Sequence, residues 1–192
     1  MIINIKLLHD EMLKKGIRFE TGLTYTELEA IEQLFAFHFP IDLKIFLNHY
    51  LPISEKAWGF PNWRKALCDD QEKNMIIDRL NYPKEGIAFD IQQGFWLDEW
   101  GIAPNEVSER LTIFENNFKK YPMMIPIYSH RYIPVVPYEA ENPIFSIMQT
   151  DIIYYGTDLI NYFCNEFSLN KNIFDKQREN HKHIKFWSQL VQ

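Results

Sequence analysis

The chain has 192 residues, 46% of them apolar and 24% charged, with a formal net charge of −6; this length favours one domain and this balance is ordinary for a folded one. The aromatics (15 Phe, 10 Tyr, 5 Trp) exclude a disordered chain, and seven scattered glycines exclude collagen-like or linker compositions. No run of about 18 uncharged apolar residues is present for a membrane span, Asp10 and Glu11 come too early for a signal-peptide apolar stretch, and Cys68 and Cys164 match neither a disulfide framework nor a CxxC metal site. The expectation is a soluble, cytoplasmic protein with residues 1–192 in a single domain.

Ile5, Leu8, Met12 and Leu13 recur at helical spacing, which predicts a helix over 2–15 that Gly16 stops. Thr24-Tyr25-Thr26-Glu27 has the form of a capping box, and Leu28, Ile31, Leu34 and Phe35 make an apolar stripe behind it. Pro40 is expected to end that helix. A short helix follows from Asp42, with Leu43, Phe46, Leu47 and Tyr50 inward, and Pro52 closes it. Residues 57–63 read as a strand or loop packed through its aromatics. Met75, Ile76, Arg79 and Leu80 predict a helix that stops before Pro83, and Val107, Leu111, Phe114 and Phe118 predict another after Pro104. Beyond Pro122 the period changes to about two. The runs 124–128, 132–136, 143–148 and 151–155 predict an antiparallel meander that Gly156 ends. A helix from Asp158 carries Leu159, Tyr162, Phe163 and Phe167 inward, and a last helical piece carries Ile184, Trp187 and Leu190. Helices, then strands, then helices predict an α+β fold, a single-domain sandwich with helices packed on one face of a mixed, mainly antiparallel sheet.

Charge is unevenly spread. Residues 171–192 hold Lys171, Lys176, Arg178, Lys182 and Lys185 against two acids, whereas residues 69–115 hold eleven acids and four bases. An acidic body repels phosphate backbones and attracts a basic protein, so nucleic acid is not an expected partner. The acids Asp69, Asp70, Asp98 and Glu99 are the candidate partner-binding residues.

Spacing offers no chemistry. HExxH, paired Cys/His, GxSxG, GxGxxG and the phosphate-loop pattern are all missing, so no catalytic, metal or cofactor residue is assigned. Ser129-His130-Arg131 is the best local set for a hydrolase, but neighbours on a strand or turn normally point apart. Arg131 and Asp151, each flanked by apolar residues, are expected to be structural, as a buried ion pair or a turn cap. Trp58, Trp96 and Trp100 are expected in the core, since no basic residues interleave with them for base stacking.

In order and spacing the chain resembles the SUKH superfamily, the Smi–Knr group, over roughly residues 20–168. The resemblance rests on the helix pair from Gly22 through Pro40-Ile41-Asp42-Leu43-Lys44-Ile45-Phe46-Leu47. It continues in Pro122-Met123-Met124-Ile125-Pro126-Ile127-Tyr128-Ser129-His130-Arg131-Tyr132-Ile133-Pro134 and in the stretch from Asn142-Pro143 through Asp151-Ile152-Ile153-Tyr154-Tyr155-Gly156 to Asp158-Leu159. Residues 48–52 stand where many relatives carry a Gly-rich turn, and the basic segment 171–192, expected as a helical extension, lies beyond the usual core. The resemblance implies helices over a mixed sheet and no shared catalytic motif. It also implies an immunity-type protein that binds and neutralises a cognate toxin, often a basic nuclease. A regulatory or scaffold protein without a toxin partner is the alternative, and a small hydrolase the remaining one.

Overall fold

The computed structural model describes residues 5–174 and 180–192. Lys176 and Arg178 of the basic segment, and the first residues of the predicted opening helix, lie outside that range. The chain is α+β: α1 (Ile5–Lys14), β1 (Arg18–Thr21), α2 (Tyr25–Phe35), α3 (Ile41–His49), β2 (Tyr50–Ile53), α4 (Asp70–Gln92), α5 (Val107–Phe118), β3 (Met124–Tyr128), β4 (Arg131–Pro134), β5 (Ile144–Met148), β6 (Asp151–Gly156) and α6 (Leu159–Phe167). β1 and β2 form a two-stranded ribbon, and β3 to β6 form the meander in sequential order; both sheets are antiparallel. A parallel bridge joins Ile152 to Val191.

Local chemistry explains most boundaries. Thr24 accepts the Glu27 amide while Glu27 accepts the Thr24 amide, the reciprocal box that starts α2. That helix ends earlier than Pro40, because Ala36 turns left-handed at φ 56° and its amide reaches back to the Glu32 carbonyl. Pro40 instead precedes the first turn of α3 as its cap residue. Tyr50 and Pro52 lie in β2 rather than on α3, Pro52 opposite Phe19 in a ribbon too narrow to require its missing amide. α5 starts three residues after Pro104 and buries Phe114 alone of its apolar positions.

The meander is covered on both faces, not one. Successive side chains on a strand point to opposite sides, and here both sides are apolar. Ile125, Ile127, Ile133 and Ile144 join a cluster with Leu8, Leu28, Phe46 and Phe163, which belong to α1, α2, α3 and α6. Met124, Tyr132, Phe145, Ile147 and Ile152 join a second cluster with Ile87 and Ile91 of α4, Phe114 of α5, and Trp100. Ile184, Phe186, Trp187 and Leu190 complete that second cluster. The C-terminal segment is therefore part of the core, running through a short 3-10 turn at Trp187–Gln189 rather than a helix.

α4 is the element that sequence divides and structure joins. Its 23 residues run straight past Pro83. A proline cannot donate to the carbonyl four residues back, which here is that of Arg79. The buried Tyr132 hydroxyl, from β4, donates to that carbonyl at 3.0 Å instead. Farther along, a Cβ on Gly86 would come within 2.9 Å of Gln149, so the β5–β6 turn lies directly on the helix. Asp90 fixes the same turn by accepting the Thr150 amide at 2.9 Å and its hydroxyl at 2.6 Å.

Candidate functional site

The four predicted partner-binding acids do not form one patch. Asp69 caps α4, accepting the amides of Gln71 at 2.9 Å and Glu72 at 3.1 Å. Those backbone hydrogen bonds, with Lys65 at 3.3 Å, hold its carboxyl below the usual aspartate value. Asp70 is exposed in the first turn beside it. Asp98 and Glu99 lie beyond the other end of α4, in a 3-10 turn with Trp100. At 1.5 Å per residue α4 is about 35 Å long, so the pairs flank opposite ends of a long helix. Asp69 thus has a structural task that its sequence position, directly before an acidic helical turn, already signals.

The distal pair belongs to a more coherent surface. After Trp100, Gly101 turns at φ 85° and an exposed loop runs to α5. Ile102 is 96% exposed within it. Asp98, Glu99, Glu106 and Glu109, all exposed, surround the loop in sequence, and among the described residues none of them forms an ion pair. The loop is anchored from both ends. Trp96 donates its indole N–H to the Gly101 carbonyl at 2.8 Å, and Arg110 donates from Nε to the Pro104 carbonyl at 2.6 Å. Trp100 donates to the Tyr121 hydroxyl at 2.9 Å, which donates to Glu99 at 2.6 Å. Burial, followed by the Glu99 carboxylate, pushes the Tyr121 hydroxyl up to about 12, so it remains a donor at neutral pH. Ile102 escaped sequence reasoning because one apolar residue among Gly, Ala, Pro and Asn makes no periodic pattern.

The tryptophans divide. Trp100 is buried, packed on Phe114 at 5.6 Å between ring centroids, and Trp96 is half-buried edge-on to it at 5.1 Å. Trp58 departs from its expected core position, at 44% exposed. Phe60 and Trp63 take the interior places of that loop, and Trp58 lies outside them against Tyr82 and the Arg79 guanidinium.

Arg131 and Asp151 do not meet. Arg131 donates from Nε to Glu166 of α6 at 3.1 Å and from Nη1 to the Ser146 hydroxyl at 2.7 Å, with its guanidinium 3.8 Å over the Tyr155 ring. Asp151 is exposed at the start of β6, opposite Met148. The carboxylate that compensates Arg131 comes from a helix 35 residues on, a pairing that strand spacing cannot reveal. Ser129 and His130 do touch, contrary to expectation: Ser129 has φ 49°, which folds its Oγ to 3.0 Å from His130 Nδ1. Burial, then the Arg131 charge, lowers the His130 pKa. Among the described residues no carboxylate orients that ring, a part that a serine nucleophile's base requires. Among the described residues no group of three His, Cys, Asp or Glu side chains can hold a metal ion, and no helix is long and apolar enough to cross a membrane.

Comparison of the chain with protein-family models, with curated proteins and with solved structures finds no match.

Proposed function

We propose that this protein is a non-catalytic protein-binding module whose 98–109 surface receives a basic protein partner, and that it acts in the cytoplasm as an immunity-type protein neutralising a cognate toxin. The observation that carries the binding reading is Ile102, 96% exposed in a loop rimmed by four acids with no ion-pair partner among the described residues. Protein interfaces derive their affinity from a few desolvated anchors, while rim charges mostly set the encounter rate. An exposed aliphatic tip held rigidly by Trp96 and Arg110, inside a negative rim, supplies both parts and selects for a partner with a positive surface around an apolar hollow. The immunity role rests on the sequence resemblance to the SUKH superfamily and on the overall negative charge, which suits a basic nuclease.

The test begins with affinity capture from the source cells and identification of the retained protein, followed by its association kinetics at rising ionic strength. The expected partner is basic and toxic when expressed alone. Its association slows about tenfold when Asp98, Glu106 and Glu109 are reversed to Lys, and that variant loses most of the salt dependence. Ile102→Asp raises the dissociation rate with little change in association. Rates indifferent to salt and to both variants would remove this surface. A partner that binds here but has no toxicity would leave the regulatory or scaffold reading.

A further inference from the structure

Away from the acidic face, one place couples a buried cation to open volume. A cavity of about 200 Å³ lies between the 54–65 loop and the first half of α4, with Ser54, Lys56, Asn62, Lys65, Glu72 and Arg79 as polar lining. Arg79 is only 4% exposed. It donates from Nη1 to the Gly59 carbonyl at 2.9 Å and from Nη2 to the Ser129 carbonyl at 3.0 Å, while its Nε–H has no acceptor. Among the described residues it forms no ion pair. Two carbonyl dipoles satisfy two of five donors but do not neutralise the charge, and burial accordingly lowers the Arg79 pKa. A buried charge without a counter-ion is unfavourable unless something supplies one.

Of the lining's other charges, the Glu72 carboxylate acts on Arg79 and raises its pKa against burial, but among the described residues the two form no ion pair. Glu55, which also faces the cavity, pairs with Arg18 at 2.8 Å. Glu72 is paired with Lys65 at 3.6 Å, and Lys65 is shared with Asp69 at 3.3 Å. Among the described residues the Lys56 ammonium meets only the Tyr128 hydroxyl, at 3.4 Å. Two cations, one buried and one exposed, are therefore left facing one small cavity in a protein of net charge −6.

We propose that this cavity binds a phosphate group, free or carried on a small phosphomonoester, with Arg79 and Lys56 as its cationic partners. A phosphomonoester carries close to two negative charges at pH 7 and matches two cations where a single carboxylate matches one. The volume is below that of a drug-sized ligand site, so the ligand is a phosphate with few further atoms. The proposal is independent of the partner reading, since the cavity lies at the end of α4 opposite the 98–109 surface.

The test measures the melting temperature of the full chain at pH 7 against inorganic phosphate and phenyl phosphate, with chloride at matched ionic strength as reference. Both phosphates should raise it saturably and chloride should not. Tighter binding of phenyl phosphate assigns a phosphomonoester as ligand, and equal binding assigns free phosphate. Lys56→Gln, an exposed change that leaves the fold intact, should weaken binding about tenfold, as loss of one charge-assisted contact does. Arg79→Lys tests the buried partner with its charge kept, and should weaken both ligands further. Lys119→Gln, a remote exposed lysine, should change nothing. A shift that is not saturable, or one as large in Lys56→Gln as in the unaltered protein, would overturn the proposal.

Discussion

Asp42 is 2% exposed and has no basic partner among the described residues; its carboxylate accepts the Leu43 amide at 2.9 Å and the Glu141 amide at 3.0 Å. Burial outweighs these hydrogen bonds and raises its pKa from 3.8 to about 6. A raised folded pKa means that the folded state holds the proton more tightly, so this group's contribution is complete below about pH 3.8 and is lost as pH rises through 6. The loss amounts to about 3 kcal/mol. Glu27 runs the other way: hydrogen-bonded by Arg64, it is lowered from 4.5 to about 2, and its contribution is present above 4.5 and lost as pH falls through 2. Denaturant unfolding at pH 4, 5, 6 and 7 should therefore show stability held back as pH rises through 4–6, and Asp42→Asn should remove that component while lowering the whole curve through one lost hydrogen bond. An identical slope in both proteins would place the titration elsewhere. Glu27 was legible from its capping box. The burial of Asp42 was not, because an acid in the first turn of a helix ordinarily faces water.

At the scale of elements, Pro83 carries the lesson. Periodicity through Met75, Ile76, Arg79 and Leu80 found the first half of α4, and proline chemistry argued for a stop. The stop fails because Tyr132, 49 residues on in sequence, supplies the donor that Pro83 lacks. Tyr132→Phe should therefore destabilise the protein by about 1–3 kcal/mol, the cost of a buried carbonyl left without a donor. In a Pro83→Ala background the helix amide can reach the Arg79 carbonyl, so the same Tyr132→Phe change should cost clearly less. Equal costs in the two backgrounds, measured as a double-mutant cycle, would show that the hydroxyl does not substitute for the missing amide. The capping box, the β-strand runs and α6 were read correctly because each is specified within about five residues.

At the scale of the whole molecule, the four-stranded meander is a layer between two apolar clusters. The second of them is closed by the C-terminal residues. Trp187 is fully buried and donates its indole N–H to the Pro122 carbonyl at 2.7 Å. Tyr154 likewise donates to the Ser188 hydroxyl at 2.6 Å. A chain ending at residue 182 loses Ile184, Phe186, Trp187 and Leu190 together. It should unfold at far lower denaturant, or bind a hydrophobic dye in native buffer, since losing even one large core side chain costs about 3–5 kcal/mol. Unchanged cooperative melting of the truncated chain would show that the second cluster holds without its C-terminal closure.

Local patterns along the chain are enough for the α+β class, the four strands of the meander and their order, the capped starts of α2 and α6, and the concentration of acid between residues 69 and 115. All of these follow from interactions among neighbours in the chain. Tertiary structure decided the rest. It put helices on both faces of the meander, because runs such as Met124–Tyr128 are apolar at every position and do not reveal which partners cover each side. It gave Arg131 to Glu166 rather than Asp151. It separated Asp69 and Asp70 from Asp98 and Glu99 by the length of α4, left Trp58 outside and Ile102 in water, and buried Arg79 beside a cavity. Burial and charge compensation depend on which distant segments meet, and local spacing carries no record of those meetings.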